Sequence, residues 1–280
     1  MTDRDVFMPQ NPANILRVLI TGASSGLGAA LAKAYAEHYR TQLQLVLCGR
    51  NEAALQTLSA ELNVRYQAAC VIYCVDVRVA AQMQAMADDV LNRIGTPHIV
   101  IGNAGVSRGT LTEFAEDIPA FQAVFETNVM GLVHTFQPFI PGMKTAAANR
   151  QPAQLVGIAS VAGIRGLPGS GAYSASKAAA ITYLESLRVE MQSHGIRVTT
   201  IAPGYIRTPM TDINTYPMPF LMDADVFAQK ALRAIAAKRR FTIIPWQMGI
   251  VARLMRLIPA GLWDWAMKKA PHKARLPDHR

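Results

Sequence analysis

The stretch ILRVLITGASSGLGAALAKAYAEHY, Ile15 to Tyr39, decides the fold. Ile15 to Ile20 is a short, β-rich apolar run, and Ala29 to Tyr39 carries a helical pattern. Between them lies Thr21-Gly22-Ala23-Ser24-Ser25-Gly26-Leu27-Gly28. Strand, glycine-rich turn and helix, in that order, is the context in which a glycine motif carries meaning. The glycines permit a tight turn, and they let a pyrophosphate approach backbone N–H groups at a helix N-terminus, where the dipole favours negative charge. Gly22, Ser24, Ser25, Gly26, Leu27 and Gly28 are therefore candidate phosphate-binding residues. Their spacing, Gly-x-x-x-Gly-x-Gly, differs from the commoner Gly-x-Gly-x-x-Gly, and a tight turn with no ligand is the competing reading.

The same alternation continues outward. Leu43 to Cys48 is the second strand and runs into Gly49, Arg50 and Asn51. An acidic side chain there would grip a ribose 2′-hydroxyl, but positions 48 to 51 hold none. Arg50 instead offers a charged fork suited to a 2′-phosphate, which favours NADP(H) over NAD(H). A solvated residue at the start of the next helix is the alternative. A helix over Glu52 to Leu62 leads to a third strand, Ala68 to Val75, followed by Asp76 and Val77. Asp76 is either an acceptor for an adenine amino group or the N-cap of the segment near Val79. Helix Met83 to Arg93 precedes a fourth strand, His98 to Gly102, which ends in Asn103-Ala104-Gly105, small enough to pack beside a cofactor. Helix Phe121 to Val133 contains Asn128, which is unfavourable in a helix interior unless it faces solvent or makes a specific bond. A fifth strand, Leu155 to Ser160, a helix from Tyr173 to His194 and a sixth strand, Ile196 to Ile201, follow. Six alternations predict a doubly wound parallel sheet, with Phe241 to Pro245 as its last strand. The turn-rich loop with Pro203, Gly204, Ile206 and Thr208 should lie over the carboxyl ends of the strands, at the cofactor.

Ser160 to Lys177 reads SVAGIRGLPGSGAYSASK. Tyr173 and Lys177 are four residues apart and share a helix face. A phenol beside an ammonium is expected to ionise below its usual pKa of about 10 and to exchange protons with a carbonyl or alcohol near neutral pH. Ser160, at the end of its strand, can bond the same substrate oxygen. Alone, such a Tyr-Lys pair is equally a surface coincidence.

Composition sets the bounds. The 280 residues are 51% apolar and 17% charged, enough for a full core. Three cysteines, Cys48, Cys70 and Cys74, do not make a disulfide framework, and no metal site is indicated. The expected setting is cytoplasmic: Met1 to Asn14 has no signal-peptide core, and no run of about 18 apolar residues could span a membrane. Residues 238–280 hold ten Lys/Arg against two Asp, a net +8 of the total +9.

Taken together, Thr21-Gly22-x-x-x-Gly26-x-Gly28, Asn103-Ala104-Gly105, Asn128, Ser160, Tyr173-x-x-x-Lys177 and Pro203-Gly204 resemble the short-chain dehydrogenase/reductase family, in order, from Ile15 to Met210. The resemblance implies a Rossmann-type fold with Tyr173 as general acid/base. It implies that Lys177 binds the nicotinamide ribose, that Ser160 orients the substrate oxygen, and that Asn128 holds a water relaying protons to Lys177. It also implies homodimers or homotetramers built on the helices carrying Asn128 and Tyr173.

The expected organisation is an N-terminal arm (1–14), one α/β domain (15–245) and a C-terminal helical extension (246–280). Tyr216, Met218, Phe220, Met222 and Phe227 suggest an apolar lid within residues 210–240, which fits a lipophilic carbonyl or alcohol substrate; an ordinary packed loop is the alternative. A reductase of 3-oxoacyl thioesters and a catalytically silent cofactor sensor are the alternatives. Trp246 to Lys269 reads as one basic amphipathic helix with all three tryptophans, a pattern of peripheral membrane surfaces. Packing on the protein's own core or on a second subunit is the alternative. A partner nucleic acid is not expected, because the extension is apolar as well as basic.

Overall fold

The structure, a computed structural model, describes residues 15–214, 216–268 and Arg275. The arm at 1–14 and most of the chain beyond Lys268 therefore lie outside the described residues.

In chain order the strands are β1 (Leu16–Thr21), β2 (Leu43–Gly49), β3 (Ala69–Cys74), β4 (Ile99–Gly102), β5 (Gln154–Ile158), β6 (Arg197–Pro203), β7 (Ile206–Arg207), β8 (Met222–Asp223) and β9 (Phe241–Ile244). The helices are α1 (Gly26–Tyr39), α2 (Glu52–Tyr66), α3 (Ala80–Arg93), α4 (Ile118–Phe125), α5 (Gly131–Phe136), α6 (Ile140–Ala148), α7 (Gly171–Gln192), α8 (Pro209–Asp212), α9 (Ala224–Ala236), α10 (Trp246–Leu257) and α11 (Ala260–Met267). Seven strands form one sheet in the order β3-β2-β1-β4-β5-β6-β9, parallel throughout, and β7 and β8 pair separately.

Both faces of the sheet are covered, which is why its central strands are apolar on both sides. Leu16, Val18 and Ile20 pack with Leu31, Tyr35, Leu55 and Phe227 on one face, under α1, α2 and α9. Leu19 points the other way, among Met86, Phe136 and Leu184 of α3, α5 and α7. The chain reverses its winding between β1 and β4, so the crevice beyond their carboxyl ends is where a ligand is expected.

Three elements differ from the sequence reading. The helix around Asn128 is α4, a π-helical turn at Glu126–Met130, then α5, and a short turn leads on to α6, which the reading missed. Pro138 and Pro141 hid that continuation by interrupting the pattern, yet each sits near the start of a helical segment, where its missing N–H is harmless. The expected single helix from Trp246 is two, because Pro259 holds Ile258 in extended backbone (φ −65°, ψ 125°). Finally, α9 is no part of a lid: Phe227, Ala231 and Ile235 are core residues packed against α1.

Candidate active site

A cleft of about 400 Å³ opens at the carboxyl ends of the strands. It is lined at one end by Arg50, Asn51 and Asp76, along its length by Gly22, Ser24 to Leu27 and Asn103 to Gly105, and at the other end by Ser160, Tyr173 and Lys177. Val77, Pro203, Gly204, Ile206 and Thr208 also line it.

The glycine turn is held by its neighbours. Gly22 has φ +66°, and a Cβ there would come within 2.8 Å of Ala104 Cα. Thr21 Oγ1 accepts from the N–H groups of Asn103 and Ala104 at 3.2 and 3.3 Å. Asn103 Nδ2 donates to the carbonyls of Thr21 and Gly22 at 2.9 and 3.2 Å. Asn103 is thus a clamp on the turn. Gly28 does not line the cleft; a Cβ there would lie 2.2 Å from the Gly22 carbonyl oxygen, so it serves the close packing of α1 on the turn. Across the cleft, Thr208 approaches Gly26, its Cβ 3.6 Å from where a Cβ of residue 26 would stand. Its own N–H donates to Thr211 Oγ1, ordering α8.

At the far end, Asn51 caps α2 by accepting from Ala54 N–H at 3.0 Å. Asp76 is not the N-cap of α3, which is Val79. Its carboxylate is clamped by Arg78, whose Nε and Nη2 donate to Oδ1 and Oδ2 at 3.1 and 2.6 Å, and whose bonds hold the carboxyl below its ordinary pKa. Arg50 Nη1 stands 3.9 Å from the same carboxylate, with its side chain largely in solvent.

The chemical end is built by α7 against the short turn after β5. Ser160 Oγ accepts from Ala162 N–H at 3.1 Å, and its hydroxyl acts on the Tyr173 phenol to favour ionisation. Lys177 is buried, and its Nζ donates to the Ile158 carbonyl at 2.9 Å while standing 5.9 Å from the Tyr173 ring centre. One expectation is overturned here. The Tyr173 pKa is raised, because burial outweighs the Ser160 hydroxyl, and burial also lowers Lys177 to about 8. Low dielectric disfavours both charged forms.

Asn128 makes the specific bonds that its helical position required. Buried in the π-helical turn, it accepts from Val106 N–H at 2.8 Å and donates to the Val106 carbonyl and Ser176 Oγ, each at 3.0 Å. It does not line the cleft, but it flanks Gly105 opposite Lys177: a Cβ on Gly105 would lie 3.2 Å from Asn128 Oδ1 and 3.4 Å from Lys177 Nζ. Val106, Thr127, Ile158, Pro209, Met210 and Thr211 line the cleft without having been singled out in the sequence. Their side-chain chemistry is unremarked, and only their place after a strand end could have marked them.

The family model for short chain dehydrogenases matches residues 16–216. The chain belongs to the short-chain dehydrogenase/reductase family. An uncharacterized oxidoreductase of Myxococcus xanthus is 35% identical over 258 residues, covering 90% of this chain and 96% of the relative. A short-chain dehydrogenase/reductase from Burkholderia phymatum, solved with NAD, is 26% identical with a TM-score of 0.76, over 95% of this chain and 98% of its own. The short-chain dehydrogenase from Sphingobium yanoikuyae, solved with NADPH, is 25% identical with a TM-score of 0.74, over 95% of this chain and all of its own. This short-chain dehydrogenase/reductase is thus an NAD(P)-dependent oxidoreductase acting on CH–OH groups. Its glycine turn and continuous cleft fit a dinucleotide, which supplies the hydride when bound.

Proposed function

We propose that this enzyme uses NADP(H) to interconvert a carbonyl and a secondary alcohol on a lipophilic molecule. The observation that carries the reading is the Ser160–Tyr173–Lys177 cluster at one end of the cleft with Arg50 at the other. Tyr173 would donate its proton to the carbonyl oxygen in reduction, with the Ser160 hydroxyl orienting that oxygen. A positive charge on Lys177 would stabilise the tyrosinate left behind.

Preference for a 2′-phosphate rests on charge balance. Arg78 and Arg50 share the one Asp76 carboxylate, at 2.6 and 3.9 Å, so this end of the cleft keeps an excess of positive charge. A lipophilic substrate is supported by the segment between β7 and β8. Met210, which lines the cleft, Ile213, Phe220 and Leu221 are exposed there, and Tyr216 meets the Tyr205 ring edge-on, with ring centres 6.4 Å apart.

Initial rates with NADPH and NADH, on ketones graded in chain length, test this directly. Turnover is expected to favour NADPH and to rise with chain length. Tyr173→Phe is expected to lower kcat by about 10²- to 10⁴-fold. Arg50→Ala should weaken NADPH use by about 10- to 100-fold, the loss of one charge-assisted contact, while leaving NADH unaffected. A wild-type preference for NADH would refute the Arg50 assignment.

A further inference from the structure

We propose that the outer face of α10 and α11 is a docking surface for an anionic lipid membrane. The inference concerns a second site and stands apart from the choice of cofactor and substrate.

α10 is apolar on two opposite faces. Met248, Gly249 and Ala252 are buried, on the side that packs on β9. Trp246, Ile250, Leu254 and Leu257 recur at i, i+4, i+8 and i+11, which places them along one stripe of the helix. All four are exposed, Trp246 by 66% and Leu257 by 77%. α11 has no buried residue at all and adds Leu262 and Trp265, the latter 76% exposed. An amphipathic helix explains one apolar face turned inward. It leaves the second without a partner among the described residues, and large exposed apolar patches mark interaction sites.

Charge decides the partner. Arg253 and Arg256 on α10 and Lys268 after α11 are exposed, and Asp264 is the only acidic residue on either helix. A second copy meeting this face about a twofold axis would bring two cationic patches together. An anionic bilayer presents opposite charge and an apolar interior, and tryptophan and arginine are suited to its interface.

The helices are also fixed rigidly enough to present that face. Arg165 Nη1 donates to the carbonyls of Met255 and Ile258, and its guanidinium lies 4.4 Å from the Trp263 ring centre. Arg256 Nη1 donates to the Ile164 carbonyl at 2.8 Å, and Met248 fills the space where a Cβ on Gly204 would stand. Ile164 follows the turn that begins at Ser160, and Gly204 lines the cleft. α10 therefore bridges the two loops that flank the chemical end of the site.

The test uses the full chain with vesicles of phosphatidylcholine alone and of phosphatidylcholine mixed with phosphatidylglycerol. Cosedimentation is expected with the anionic vesicles at low salt and should weaken as salt rises. Because Trp246, Trp263 and Trp265 are the only tryptophans, the intrinsic emission should shift to the blue on binding. Replacing Trp246, Leu254 and Trp265 by Ser should lower the affinity by about tenfold or more, with an unchanged urea midpoint showing that the fold is intact. R253Q with K268Q should weaken binding to anionic vesicles and leave the neutral ones unaffected. No cosedimentation of the full chain with anionic vesicles would overturn the proposal. So would a serine variant that binds vesicles normally but sediments as a smaller species, which would assign the face to a second copy.

Discussion

Burial sets the charge states in the site. Lys177 is enclosed beneath Gly105 and Gly163 and has its pKa lowered to about 8. An unfolded lysine titrates near 10.4, so below pH 8 the folded protein carries a penalty of about 3 kcal/mol for holding the ammonium in low dielectric. That penalty is relieved as pH rises from 8 towards 10.5, where the unfolded chain binds more protons than the folded one. Lys177→Met is therefore expected to inactivate the enzyme yet raise its stability at pH 7. The gain should be about 2 kcal/mol, after allowance for the lost bond to the Ile158 carbonyl. Urea unfolding at pH 7 and pH 9.5 checks it: the wild type should gain stability with pH relative to the variant. The sequence placed Tyr173 and Lys177 side by side correctly, but it gave the wrong sign for the phenol, since spacing carries no information about desolvation.

Among the elements, the contact between α7 and the turn at Val161–Gly163 determines whether Ser160 meets Tyr173. A Cβ on Gly163 would lie 2.5 Å from the backbone carbon of Lys177, a contact with no flexible atom to yield. Gly163→Ala is expected to push the turn off α7, lowering kcat by about tenfold or more while cofactor affinity changes little. Single-turnover rates together with NADPH titration separate the two effects. The π-helical turn at Glu126–Met130 has the same character, since it aims Asn128 at Val106 and Ser176. A helical pattern with an asparagine in it was visible in the sequence. The extra residue per turn was not, because it follows from what lies opposite.

For the molecule as a whole, the cleft joins turns from both halves of the sheet, those after β1 to β3 and those after β4 to β6. A dinucleotide bound there stabilises only the folded state. At a hundred times its Kd it should add about 2.7 kcal/mol, visible as a rise of several degrees in Tm. At equal concentration NADP⁺ is expected to give the larger shift, and Arg50→Ala should remove the difference. Thermal shift with the two oxidised cofactors measures this without any substrate. The sequence by itself determined the parallel sheet, the glycine turn and the Ser160–Tyr173–Lys177 set, because periodicity and motif spacing are local properties of the chain. It also marked the C-terminal stretch as apolar and basic. Only the tertiary structure decided that Phe227 is core, that Asp76 is clamped by Arg78, and that α10 turns one apolar face inward and the other out. Burial and partnership depend on segments distant in the chain, so they exist only once the chain has packed.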